Sequence, residues 1–183
     1  MTDTMVGMRY VVLLRGINVG GNNTVSMSEL KRILSEAGFD EVVSYINSGN
    51  ILLTSDLPAE VVNARVEETI KSSFELDIPA ITIAKSDFLQ IAEQLPANWK
   101  NDNEMRCDCL FLWSDVDAPE VVDTLTIRPD IDRVKYVPGA LFWSIDRKNV
   151  TRSGHAKIIG TPTYKRATIR NCNTVRKLAD LLG

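Results

Sequence analysis

The stretch Glu41–Ser55, EVVSYINSGNILLTS, decides the fold. Two runs rich in β-branched and apolar residues flank Ser48-Gly49, and a short polar turn between such runs predicts a β-hairpin. A helix is predicted before it, over about 27–37. There Met27, Leu30, Ile33, Leu34 and Ala37 recur at helical spacing, Ser26 and Glu29 form a capping box, and Val25 and Leu30 stand at the hydrophobic-staple positions. Gly38 sits where a glycine stop belongs. After the hairpin, AEVVNARVEETIKSSF places Val61, Val62, Val66, Ile70 and Phe74 at helical spacing. Strands are predicted at Tyr10–Leu14 and in PAITIAK from Pro79, and Ser86 is placed to cap a short helix that ends before Pro96. A hairpin between two helices argues against a wholly parallel, doubly wound sheet and fits a split βαββαβ unit.

The second half repeats the order in pattern, not in residues. PANWKNDNE, 96–104, is polar and rich in turn formers and marks the boundary. RCDCLFLW reads as a strand, DAPEVVDTL as a short helix with Asp117 as its cap, and RVKYVPGALFWSI as a hairpin turning at Pro138-Gly139. NTVRKLADLL closes the chain with Val175, Leu178, Ala179, Leu181 and Leu182 on one face. The expected fold class is α+β: two tandem split-βαβ (ferredoxin-like) subdomains with antiparallel or mixed sheets and a C-terminal helix. The expected division is an N-terminal βαββαβ(α) subdomain over 8–96 and a C-terminal βαββ subdomain with a basic helical segment over 104–183.

The chain has 183 residues, 44% hydrophobic and 25% charged, which is ordinary globular usage. No apolar run approaches the ~20 residues that span a bilayer. The start, MTDTMVGMRY, is too short and polar for a signal peptide, and three cysteines argue against a disulfide framework. A cytoplasmic protein with no membrane partner is expected, and its oligomeric state stays open.

Charge is uneven. The net charge is -3, yet Arg147–Lys177 holds nine Lys and Arg, no Asp or Glu, and the single histidine, His155. An acidic body that bears a basic segment points to an anionic partner, or to a basic segment that packs on its own acidic body.

Arg15–Asn23, RGINVGGNN, has the Gly16-x4-Gly21 skeleton of a phosphate loop, but Asn22 and Asn23 stand where that loop needs lysine and a hydroxyl. The helix also starts too late, near Ser26. What remains is a turn, or a weaker seat for an anion built from the Gly20 and Gly21 amides with Arg15 and Asn18 as donors. Asn47, Ser48 and Asn50 surround a second turn and either bond locally or share that ligand. TIRNCNTV is read as the start of the last helix. Asn171 or Asn173 would cap it, and Arg170 with Lys157 would hold an anion at its positive end.

LRGINVGG, YINSGN and TIRNCNTVRKL together resemble the hallmark motifs of the mostly bacterial domain-of-unknown-function family 1697, from about Arg9 to the C-terminus. The resemblance implies two α+β halves and no assigned activity. Members often carry a basic residue where this chain has Asn22, and tryptophan where it has Cys172. SGHAKII keeps Ser153, Gly154 and Lys157 of the stretch before the last motif only loosely.

Other constellations are weak. Cys107 and Cys109 share a strand face with Phe111 and Trp113, and with Cys172 and His155 they lack the spacing of zinc knuckles. No metal or cofactor is expected. Asp115/Asp117 and Asp130/Asp132 look like solvated turn carboxylates. Tyr136, Phe142 and Trp143 on the second hairpin read as core residues more readily than as a base-stacking platform. The first expectation is a protein binding a phosphate-bearing small molecule or nucleic acid through Arg15, Asn18, Gly20, Gly21, Asn47, Ser48, Asn50, Lys157, Arg170 and Asn171. The alternatives are an enzyme on a phosphorylated substrate, with His155 or a carboxylate as acid/base group, and a protein-interaction module whose motifs are structural.

Overall fold

The computed structural model describes residues 7–183. Most of the polar start, read from sequence as no signal peptide, lies outside the described residues. The N-terminal elements are β1 (Met8–Leu14), α1 (Met27–Glu36), β2 (Asp40–Tyr45), β3 (Asn50–Ser55), α2 (Ala59–Phe74), β4 (Ala80–Ala84) and α3 (Lys85–Glu93). The C-terminal elements are β5 (Met105–Leu112), β6 (Asp132–Val137), β7 (Ala140–Asp146), α4 (Pro162–Lys165), β8 (Ala167–Asn171) and α5 (Cys172–Leu182), with 3-10 turns at Pro119–Thr124, Arg147–Arg152 and Gly154–Ile158. The chain divides into two compact units that meet in sequence at Phe88-Leu89, inside α3. Among the described residues no helix is long and apolar enough to cross a membrane.

Each unit carries one four-stranded antiparallel sheet. The orders are β2-β3-β1-β4 and β6-β7-β5-β8, so the second sheet repeats the first strand for strand. In each, the middle strand of the hairpin inserts between two strands that a helical connection joins, which is the split βαβ arrangement. The first hairpin forms where its sequence predicts it. Tyr45 pairs with Asn50 across the turn, and the register shifts between Asp40 and Val43.

In the first unit, Tyr10, Val12 and Leu14 of β1 pack with Ile51 and Leu53 of β3, Leu30, Ile33 and Leu34 of α1, and Val62, Val66 and Ile70 of α2. Val61, assigned to the same face by spacing, is exposed. Ser26 Oγ accepts from Glu29 N at 3.4 Å, but Glu29 turns its carboxylate to Arg32 instead of back to the cap, so only half of the capping box forms. Helix α3 begins at Lys85, which puts Ser86 inside the helix and not at its cap.

In the second unit, Leu110, Leu112, Leu141, Trp143 and Ile145 form the centre of the core. Three expectations are corrected here. First, Ala167–Asn171 forms a strand that the sequence reading lacks: it pairs with β5 from Asp108↔Asn171 to Leu112↔Ala167, and the last helix begins after it at Cys172, within the same motif. The βαββ reading of this half therefore lacks its closing strand. Thr168 and Ile169 are β-branched and suit a pleated surface, and the free β5 edge supplies the partner. Second, Asp117 does not cap the 3-10 turn, which has no side-chain cap. Its Oδ1 accepts from Tyr136 Oη and Gly139 N, both at 2.8 Å, and ties the turn segment to the β6–β7 hairpin. Third, Leu181 is exposed, while Val175, Leu178 and Leu182 are buried.

Candidate functional site

The glycine stretch is a tight turn. Asn22 N donates to Val19 O at 2.9 Å, and Gly20 and Gly21 both take positive φ, 57° and 79°. Two consecutive left-handed residues are what a type I′ turn requires, and glycine adopts them without a Cβ penalty. A Cβ at either position would meet nothing within 4 Å, so backbone conformation, not crowding, calls for glycine there. The tip is exposed, and the amides of Gly20 and Gly21 have no partner among the described residues.

Asn18 braces this turn from inside. Its Oδ1 accepts from Val25 N at 2.8 Å, and its Nδ2 donates to Val25 O at 3.0 Å and to Asn47 O at 2.8 Å. Asn23 Nδ2 adds a bond to Gly16 O at 3.0 Å. The second turn is braced in the same way: Asn50, fully buried, donates to Tyr45 O and to Ser48 Oγ, both at 3.1 Å. Gly49 meets this turn from below, where a Cβ would lie 2.7 Å from Leu14 Cβ. The glycine stretch and the Asn47–Asn50 turn are thus adjacent in the first unit. Most of the polar side-chain capacity that the sequence suggests for a ligand is used between them. Arg15 is half-buried, and its backbone N donates to Pro79 O at 2.9 Å.

The second unit holds Lys157, Arg170 and Asn171. Asn171 caps α5, its side chain accepting from Thr174 N at 3.0 Å. Arg170 is a strand residue of β8 and is buried; it donates to Thr168 Oγ1 and to Ile169 O. Burial lowers its pKa to about 10, which leaves it charged near neutrality. Lys157 is exposed on the 3-10 turn between β7 and β8.

That β7–β8 crossover, 147–166, is anchored by a group absent from the expected site. Asp132, read from sequence as a solvated turn carboxylate, is buried. It accepts from Ser153 Oγ, from Gly154 N at 2.9 Å, from Arg128 N at 2.8 Å and from Trp143 Nε1 at 3.1 Å. Burial pushes its carboxyl up, and these donors outweigh burial and hold it below the ordinary carboxylate range. Gly154 has no alternative, because a Cβ there would lie 1.7 Å from Thr126 O. The signal in the sequence was Ser153-Gly154, but its partner lies 21 residues away and no local pattern points to it.

His155 is buried beside the same anchor. Its ring meets Trp143 edge-on at a centroid distance of 5.2 Å, and Nε2 lies 3.1 Å from Asp108 Oδ2 without an aligned hydrogen bond. Arg106 Nε donates to the same Asp108 oxygen at 2.9 Å. Burial raises the Asp108 pKa, and His155 and Arg106 together bring it below the ordinary value. The only histidine therefore sits in a buried charge cluster, not on an open surface.

Of the nine cations in 147–177, Arg147, Arg166, Arg170 and Arg176 are engaged within the unit. Arg166 pairs with Asp115 and lies over the Trp113 ring, and Arg176 donates to Pro96 O and Trp99 O. The side chains of Arg152, Lys157 and Lys165, all on the crossover, are exposed and have no hydrogen bond or ion pair among the described residues. Lys148 is exposed too and acts on Asp146 through its charge.

A family model described as "Protein of unknown function (DUF1697)" matches residues 8–142. Among solved structures, the conserved bacterial protein SP0830 from Streptococcus pneumoniae is 31% identical, with 96% of this chain and 99% of that chain covered and a TM-score of 0.83. No curated protein matches the chain.

Proposed function

We propose that this chain, which belongs to the DUF1697 family of proteins of unknown function, binds a phosphate-bearing anion through the exposed cations of its β7–β8 crossover. The observation that carries the reading is the state of Arg152, Lys157 and Lys165. They project from one short, acid-free segment that a buried carboxylate holds in place, and no side chain among the described residues pairs with them. The hydrogen bonds from Ser153 and Gly154 to Asp132 fix the backbone of this path, which limits the entropy lost when a ligand orders these side chains. The amides of Gly20 and Gly21, without a partner among the described residues, support the same class of ligand in the first unit, since exposed amides in left-handed turns suit anions.

The test is a low-salt thermal-shift and titration series with inorganic phosphate, nucleotides, sugar phosphates and short RNA and DNA oligomers. A ligand at about 100 times its dissociation constant stabilises by ~2.7 kcal/mol. The shift should fall in a protein carrying Arg152→Ala and Lys157→Ala together. A steep loss of affinity with salt, reduced by about one unit of slope per cation removed, identifies nucleic acid; a shallow slope identifies a small phosphate ester. A flat panel from folded protein, or a shift that the double variant retains in full, overturns the reading.

A further inference from the structure

The three cysteines take no part in the proposed anion site. Extending the β5–β8 register from Asp108↔Asn171 by one residue puts Cys107 opposite Cys172, the first residue of α5. Residues directly opposite in an antiparallel pair have Cβ atoms ~4.5–5.5 Å apart and Cα separations within the range a disulfide spans. The two thiols lie close enough to act on one another electrostatically, Cys107 favouring the Cys172 thiolate. Arg176, one turn along α5, brings its guanidinium to 3.3 Å from Cys172 Sγ. Both cysteines are buried, and the polar connector 96–101 is bonded to residues around them: Arg176 donates to Pro96 O and Trp99 O, Asn173 Nδ2 donates to Asn101 O at 2.9 Å, and Cys107 N donates to Asn101 Oδ1. Cys109, two residues along β5, faces Arg170 in the register and has no thiol opposite it.

We propose that Cys107 and Cys172 form a redox-active dithiol that hydrogen peroxide converts to an intramolecular disulfide, with Cys172 as the attacking thiol and Cys107 as the resolving one. The asymmetry follows from the surroundings. The neighbouring Cys107 thiol favours the Cys172 thiolate, burial opposes it, and the Arg176 guanidinium at 3.3 Å favours it further, so that Cys172 is held down to about 7 while Cys107 is pushed up. In the first step the Cys172 thiolate attacks one peroxide oxygen. The O–O bond breaks, and the departing hydroxide takes a proton to leave as water, giving the Cys172 sulfenic acid. Cys107 then attacks that sulfur, its proton joins the leaving hydroxyl as a second water, and the S–S bond closes. Two thiols and one peroxide give one disulfide and two waters.

The experiment is treatment of the folded full-length chain with hydrogen peroxide under native conditions, followed by thiol blocking, non-reducing digestion and mass mapping. The expected product is a cross-linked peptide joining Cys107 to Cys172, with a loss of about 2 Da in the intact protein. The rate should rise through pH about 7, set by Cys172, and not through the ~8.5 of an ordinary thiol. Cys109→Ala should form the same link. Cys107→Ser should stop at a sulfenic acid on Cys172, trapped by a dimedone probe. A link that involves Cys109, oxidation that leaves Cys107 and Cys172 as free thiols, or a rate governed by a pKa near 8.5 overturns the proposal. The mapping on unmodified protein decides the matter even if a cysteine variant fails to fold.

Discussion

Asn18 and Asn47 are joined by a hydrogen bond of 2.8 Å from Nδ2 to the backbone carbonyl, so two motifs 29 residues apart form one braced corner of the first unit. Asn18 also satisfies both backbone groups of Val25, directly before the α1 cap. It does so from a left-handed conformation, φ 53°, which asparagine tolerates better than most residues.

Asn18→Ala removes three hydrogen bonds and leaves Val25 N without its acceptor. A loss of about 2 kcal/mol is expected, since each bond contributes ~0.5–1.5 kcal/mol net. Amide exchange should accelerate at Val25 and across 45–50, while the second unit keeps its protection. Unchanged exchange at both places would show that the corner stands without its brace.

The glycines separate into two kinds. Gly20→Ala or Gly21→Ala strains φ but meets open space, and should cost about 1 kcal/mol. Gly49→Ala combines φ 78° with a Cβ 2.7 Å from Leu14 Cβ and 3.0 Å from Ile17 Cδ1, so overpacking of about 1–3 kcal/mol adds to the strain. Urea midpoints by circular dichroism should therefore rank Gly49→Ala well below the other two. Equal midpoints would contradict the assignment of crowding to Gly49 alone.

Asp132 and Gly154 hold the crossover. Asp132→Ala strands the Gly154 and Arg128 amides, the Ser153 hydroxyl and the Trp143 indole N–H in a buried place. A cost of ~3 kcal/mol or more is expected from groups left without an acceptor. Gly154→Ala should be at least as damaging because its Cβ collides with a backbone carbonyl. All three tryptophans, Trp99, Trp113 and Trp143, lie in the second unit, so fluorescence follows its unfolding selectively. A blue-shifted Trp143 emission retained at wild-type denaturant concentrations in either variant would refute the anchor.

Asp108 and Asp132 have carboxyls held below their unfolded values. The stability they contribute is complete above the ordinary carboxylate pKa of ~4 and is lost as pH falls through the lower folded value. The second unit should accordingly lose stability progressively below pH ~4. Asp108→Asn should flatten that acid limb, at a cost to stability near neutrality because Arg106 loses its counter-charge. Fluorescence-monitored urea unfolding between acid and neutral pH measures both effects, and an acid limb of unchanged slope would rule out Asp108 as a contributor.

The sequence by itself determined the local features of this protein. The Val25–Ser26–Leu30 entry to α1, the Ser48-Gly49 turn between β2 and β3, the Gly20-Gly21 turn and the Asn171 cap of α5 are all set by neighbours within about five residues, where φ preference and short hydrogen bonds dominate. The hairpin between two helices was enough to exclude a wholly parallel sheet, and the structure made both sheets antiparallel where the sequence left antiparallel or mixed open. Only the tertiary structure decided the rest. Strand β8 exists because β5 offers an unpaired edge, while TIRNCNTV alone suits a helix start equally well. Asp132 looks like any turn aspartate until Ser153, Gly154 and Trp143 arrive from other elements to desolvate and satisfy it. Arg170 and His155 carry charge-bearing groups that a sequence places at a surface, and burial against Thr168 and Asp108 places them inside. A backbone torsion is a property of adjacent residues, whereas desolvation is a property of whatever the fold brings alongside. That is why the turns were legible and the buried polar anchors were not.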